Sequence, residues 1–141
     1  MIRAVGIDMI ELVRIKAVWQ RHPSRFLYRH FTAEEITFCR SQSDPLPSIA
    51  ARFAAKEAFQ KCWHENHGWQ DVWVVKKGLK PHLEFSDRIR EHMEANSLVA
   101  HLSLTHSRDH AAAVVILEQV QASPDARGVR AGPTNKLAPG K

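Results

Sequence analysis

Residues 4–10, Ala-Val-Gly-Ile-Asp-Met-Ile, form an almost continuous apolar run interrupted by one carboxylate, Asp8. A run of this kind reads as a strand covered on both faces, so the rest of the chain must supply layers to pack against it. A charge within such a strand is costly to bury unless it is paired or holds a metal. Two readings of Asp8 stay open on position alone: it caps a turn at an exposed strand end, or it belongs to a site.

The pattern turns helical from Leu12 to about Arg21, with Leu12, Ile15 and Trp19 on one face. Pro23 ends or interrupts that helix. Thr32-Ala33-Glu34-Glu35 is a capping box that opens a short helix to about Cys39. Ser41 to Pro47 reads as a polar loop, and Ser48 as the cap of a helix from about Ile49 to His64. Asp71–Val75 and His82–Phe85 are short strands around a turn at residues 76–81. Ser86 or Asp87 caps a helix to about Ala95, Val99–Thr105 alternates as a strand, and Ala111–Leu117 is the last buried strand. Strands and helices interleave without a regular βα repeat. That predicts a single α+β domain over residues 1–118, a mainly antiparallel sheet packed with helices.

The tail has three prolines, three glycines and almost no large apolar residue, and 119–141 is expected to be disordered. It carries +3 of the formal net charge of +5, so the high pI says little about the folded part. No apolar run approaches the ~20 residues of a membrane span, and no signal peptide is recognisable at the N-terminus; a cytoplasmic location is expected. Cys39 and Cys62 lack the spacing of a zinc site and read as ordinary thiols packed in helices.

Four features carry chemistry. Asp8 is the first. Glu57 is the second, four residues before Lys61 on one helix face. It is either half of a surface ion pair or, with Asp8, a carboxylate pair for a hard divalent cation, since Mg²⁺ typically takes one or two protein carboxylates with waters and substrate phosphates. The third is Ser103-Leu104-Thr105-His106-Ser107, where Leu102 and Leu104 point to one face and Ser103 and Thr105 to the other. His106 is either a turn histidine or a ligand group. The fourth is the stretch from Arg14 to Arg29, with Lys16, Arg21 and Arg25 and no acid between Val13 and Ala33. It is a solvated face or a dock for an acidic partner.

Four segments, in order, resemble the holo-[acyl-carrier-protein] synthase family, the small trimeric type of 4′-phosphopantetheinyl transferase. They are Gly6-Ile7-Asp8-Met9-Ile10-Glu11-Leu12 with Arg14-Ile15; Arg25-Phe26 with Arg29 and Phe31-Thr32; Ala51-Arg52-Phe53-Ala54-Ala55-Lys56-Glu57-Ala58-Phe59 with Lys61; and Ser103-Leu104-Thr105-His106-Ser107 leading to Ala111–Val115. The resemblance spans roughly residues 2–118. It implies a magnesium-dependent transfer of 4′-phosphopantetheine from coenzyme A to a serine of an acyl carrier protein in fatty-acid or polyketide synthesis. Asp8 and Glu57 would bind Mg²⁺, or Mn²⁺, together with coenzyme A phosphates, and Lys61 would lie at those phosphates. Asp8, Glu57 and Lys61 form the implied catalytic group. Arg52, Lys56 and His106 match residues near coenzyme A. Arg14, Arg21 and Arg25 match the helix that docks the acidic carrier protein. A homotrimer with active sites between subunits is implied as well. The proton acceptor stays open between Glu57, a water on the metal and another carboxylate, with Glu35 a distant candidate.

The chain departs from the family pattern in two places. Residues 63–69 replace a longer glycine-rich loop that would contribute to the coenzyme A site, and Gly78-Leu79-Lys80-Pro81 carries one residue more than the family's Gly-Lys-Pro turn. The altered loop leaves a non-catalytic module that binds carrier protein or coenzyme A as the alternative. A nucleic-acid binder is disfavoured, because the basic tail has no aromatic residue.

Overall fold

The computed structural model describes residues 1–121. Its order is β1 (Ile2–Glu11), α1 (Leu12–Arg21), α2 (Pro23–His30), α3 (Ala33–Arg40), α4 (Pro45–Cys62), β2 (Val72–Lys77), β3 (Lys80–Phe85), α5 (Asp87–Ala95), β4 (Leu98–His106) and β5 (His110–Gln119). β5 lies between β1 and β4, antiparallel to both, and β2–β3 form a separate hairpin. The expected α+β architecture with antiparallel strands is what the chain adopts.

α4 is the centre of the molecule. Ala54, Ala55, Ala58 and Phe59 are fully buried, together with Val115 of β5, Val72 of β2 and Ile89 of α5. A second cluster joins the start of α4, through Ile49 and Ala50, to Leu12, Ile15, Phe26, Phe31 and Ile36 of α1–α3. The small alanines allow backbones to approach. Gly6 makes the closest approach possible: a Cβ there would lie 2.0 Å from the Ala58 carbonyl oxygen and 2.8 Å from Cys62 Sγ. The glycine is required because the α4 backbone crosses β1 at that point.

Several boundaries differ from expectation. Pro23 does not merely stop α1; it starts α2, at a first-turn position where a missing N–H costs nothing. α4 begins at Pro45, not Ile49, because Asp44 accepts from the Leu46 amide and caps it, and it ends at Cys62. The β2–β3 turn is tight, pairing Lys77 with Lys80, with Gly78 at φ +63°. β5 continues through Gln119, whose amide bonds Met1 O, so the ordered body reaches past the boundary at 118. The rest of the expected disordered tail lies outside the described residues.

β1 is the main correction. Helices cover only one face of the three-stranded sheet, and β1 alternates: Gly6 is buried, whereas Val5, Ile7 and Met9 are 57%, 65% and 68% exposed. The apolar run suggested cover on both faces, but the described residues supply cover on one. Both cysteines are free and buried in helices, as expected, and burial pushes the Cys39 thiol up to about 11. Among the described residues no helix is long and apolar enough to cross a membrane.

Candidate active site

β1 presents Gly6 and Asp8 to α4, and the close crossing at Gly6 sets Asp8 against the last two turns of that helix. Lys61 Nζ donates to the Ile7 carbonyl at 2.7 Å and to Asp8 Oδ1 at 3.2 Å. Glu57 lies one turn earlier on the same helix face. Its pKa is raised, first by burial and then by the negative charge of Asp8, with Lys61 opposing. The two half-buried carboxylates thus repel each other, and the half-exposed ammonium of Lys61 lies against Asp8. Among the described residues there is no group of three or more His, Cys, Asp or Glu side chains able to hold a metal. Two neighbouring, partly exposed oxygen donors suit a hard cation that completes its shell from substrate and water.

α4 turns about 100° per residue, so Arg52 and Lys56 share a face that Glu57 and Lys61 do not. Arg52 and His106 line a different cavity of about 180 Å³, with Phe38, Ser48, Lys76 and Thr105 among its walls. Arg52 is only 6% exposed. Its guanidinium lies 4.1 Å from the Phe38 ring centre and donates to Ser48 O at 3.4 Å, and its Nε has no partner. Among the described residues no carboxylate pairs with it. Burial pulls its pKa down, opposed by Cys39 and Glu35. A buried cation without a carboxylate partner at a cavity wall has the chemistry to receive an anion.

Lys56 behaves differently. Its ammonium is fully enclosed, 2.6 Å from Glu35 Oε1, and it donates to the carbonyls of His30 at 2.8 Å and Trp69 at 2.9 Å. Burial lowers its pKa and Glu35 opposes the shift. Glu35, the distant candidate for a base, is 1% exposed, and its second oxygen accepts from the Val74 amide at 3.0 Å, so it cannot reach a substrate proton.

The structure therefore brings Asp8, Glu57 and Lys61 together, sets Arg52 and His106 apart from them, and encloses Lys56. Arg14, Arg21 and Arg25 are exposed, but they do not share one helix. Arg14 and Arg21 belong to α1, while Arg25 belongs to α2 beyond the break at His22. Two structural roles escaped the sequence. The crossing at Gly6 was visible only as a Gly-Ile-Asp string. The Glu35 carboxylate gave a capping signal but no sign of its long-range partner.

The model of the 4′-phosphopantetheinyl transferase superfamily matches residues 4–115, which sets the class. The holo-[acyl-carrier-protein] synthase of Thermus thermophilus is 49% identical over 118 residues, covering 84% of this chain and 94% of the relative. Two crystal structures share the fold. One is the Neisseria meningitidis holo-[acyl-carrier-protein] synthase, with a TM-score of 0.76 and 27% identity over 84% of this chain and 99% of that one. The other is the Bacillus anthracis synthase in complex with CoA (3′,5′-ADP), with a TM-score of 0.70 and 31% identity over 85% and 99%. The chain belongs to the 4′-phosphopantetheinyl transferase superfamily, within its holo-[acyl-carrier-protein] synthase family.

Proposed function

We propose that the chain transfers 4′-phosphopantetheine from coenzyme A to a serine of an apo acyl carrier protein, releasing 3′,5′-ADP, and that the reaction serves fatty-acid or polyketide synthesis in the cytoplasm. The observation that carries this reading is the meeting of Asp8, Glu57 and Lys61 where β1 crosses α4. Two carboxylates that repel each other, in a chain of this family, fit a divalent cation: Asp8 and Glu57 would hold Mg²⁺, or Mn²⁺ with the same oxygen ligands. When bound, the cation neutralises phosphate charge and polarises the phosphoryl group. Lys61 places a movable positive charge where the leaving 3′,5′-ADP gathers negative charge. The serine oxygen forms a bond to the β-phosphorus, the bond from that phosphorus to the bridging oxygen breaks with its electron pair leaving on 3′,5′-ADP, and the serine proton passes to the Glu57 carboxylate or to water.

Arg52 and His106 supply the other half, a cationic cavity for the phosphorylated nucleoside end of coenzyme A. The two halves lie on different faces of α4, and the apolar sheet face bearing Val5, Ile7 and Met9 is open. Both facts support a homotrimer in which the carboxylates of one subunit meet the cavity of its neighbour. Arg14, Arg21 and Arg25 would dock the acidic helix of the carrier. Intact mass spectrometry tests the reading. With coenzyme A, Mg²⁺ and apo carrier protein, the carrier should gain one phosphopantetheine, roughly 340 Da on a serine, and the gain should vanish with chelator. No gain with several apo carriers, while coenzyme A still binds, would make the chain a non-catalytic module.

A further inference from the structure

The ammonium of Lys56 has three N–H donors, and all three are taken inside the protein by Glu35, His30 O and Trp69 O. Nothing remains for a ligand phosphate, and the side chain is 2% exposed. The acceptors come from three separate places. His30 O belongs to the last turn of α2, where carbonyls lack helical partners, so Lys56 caps that helix. Glu35 Oε1 also accepts from the Thr32 amide at 3.1 Å, closing the start of α3, and Oε2 ties α3 to β2. Trp69 O lies in the connection that follows α4, directly after Lys61 and Cys62. Other side chains pin the same connection. Gln70 Nε2 donates to Tyr28 O at 2.6 Å and Phe31 O at 3.1 Å, and the Trp69 ring stacks on Phe53 with centres 5.0 Å apart.

We propose that Lys56, with Glu35, is a positioning residue that clamps the 63–71 connection, which follows the end of α4 that bears Lys61, setting coenzyme A affinity without touching coenzyme A. The proposal rests on the transferase reading above. Such a clamp serves this chain in particular, because its connection holds a single glycine, Gly68, and is fixed by side-chain anchors. A pair enclosed this fully is replaceable by two apolar residues of similar size at little cost, whereas removing one partner strands the other charge.

Lysine acetylation with acetic anhydride, read by peptide mass spectrometry on the wild-type protein, tests it first. Lys61 should be modified in the free protein and protected by coenzyme A with Mg²⁺, while Lys56 stays unmodified in both states. Lys56 modified when free and protected by coenzyme A would overturn the proposal. Lys61 left unprotected would instead overturn the coenzyme A reading, with Lys56 still reporting on the clamp. Variants give the second test. Lys56→Met should raise KM for coenzyme A about tenfold with kcat changed about twofold or less, and speed hydrogen exchange in residues 64–71. Glu35→Met combined with Lys56→Met relieves the stranded carboxylate but leaves the Trp69 carbonyl without its anchor, so KM for coenzyme A should stay raised and exchange in residues 64–71 fast. A raised KM in Lys56→Met with hydrogen exchange in residues 64–71 as slow as in the wild type would mean a lost direct contact and would overturn the proposal.

Discussion

Amide substitution at Asp8 or Glu57 keeps the side-chain shape and removes one charge, so it separates chemistry from folding. Asp8→Asn and Glu57→Gln should each lower turnover on the order of 100-fold or more, the scale seen when a group stabilising transition-state charge is removed. The circular dichroism spectrum should be unchanged. Near-normal turnover in either variant would remove the metal assignment. A second residue reports through pH. His30 donates from Nδ1 to Phe26 O at 2.7 Å, and its pKa is lowered, first by burial and further by Arg29 and Lys56, against that hydrogen bond. Between its folded value and the ordinary 6.5 the unfolded chain binds more protons. Stability is therefore complete above about pH 6.5 and lost as pH falls below it. The melting temperature should drop between pH 7 and 5.5, and less so in His30→Asn; equal drops would show that His30 is not responsible. At this scale the sequence was informative about which residues matter and poor on partners. Asp8 and Glu57 stood out as carboxylates in apolar settings, but only the crossing of β1 and α4 shows that they share a cleft. Lys56 looked like a ligand group because its buried acceptors come from three distant segments.

Elements decide where those residues meet. The Gly6–Ala58 crossing is the hinge of the site, and Gly6→Ala puts a methyl into backbone atoms that cannot move aside cheaply. Overpacking of this kind typically costs ~1–3 kcal/mol. Gly6→Ala should lower the melting temperature and also cut turnover, since α4 must shift away from Asp8. Lost stability with full turnover would show that the site tolerates the displacement. α1 and α2 carry the basic surface. Reversing Arg14 and Arg21 together to Glu should raise KM for the carrier protein, more steeply at low salt, and leave KM for coenzyme A within about twofold. An unchanged carrier KM would remove the docking role. Most elements were legible because their signals are local: the Thr32–Glu35 box, the α1 stripe and the alternation of β4. The boundaries that moved did so for local reasons with ambiguous sequence signatures. A proline reads as a stop, yet Pro23 and Pro45 each occupy a helix's first turn. An apolar run like β1 looks alike whether a helix or another subunit covers its second face.

At the scale of the whole molecule, the described chain carries an unsatisfied half of everything. Among the described residues its sheet has one apolar face open, its two carboxylates share the one ammonium of Lys61, and its buried Arg52 has no carboxylate partner. Closed symmetry between subunits would satisfy the first, and the substrate complex the other two. This level was least legible from the sequence, since neither composition nor periodicity distinguishes a surface that meets water from one that meets a second copy. Mixed oligomers test the account most directly. Glu57→Gln and Arg52→Ala proteins should each leave an apo carrier unmodified by intact mass. Co-assembled one to one at random, they should regain about a quarter of wild-type transfer, because one junction in four then joins an intact carboxylate pair to an intact Arg52 cavity. A co-assembly as inactive as its parents would contradict the account: carboxylates and cavity would then have to act within one subunit.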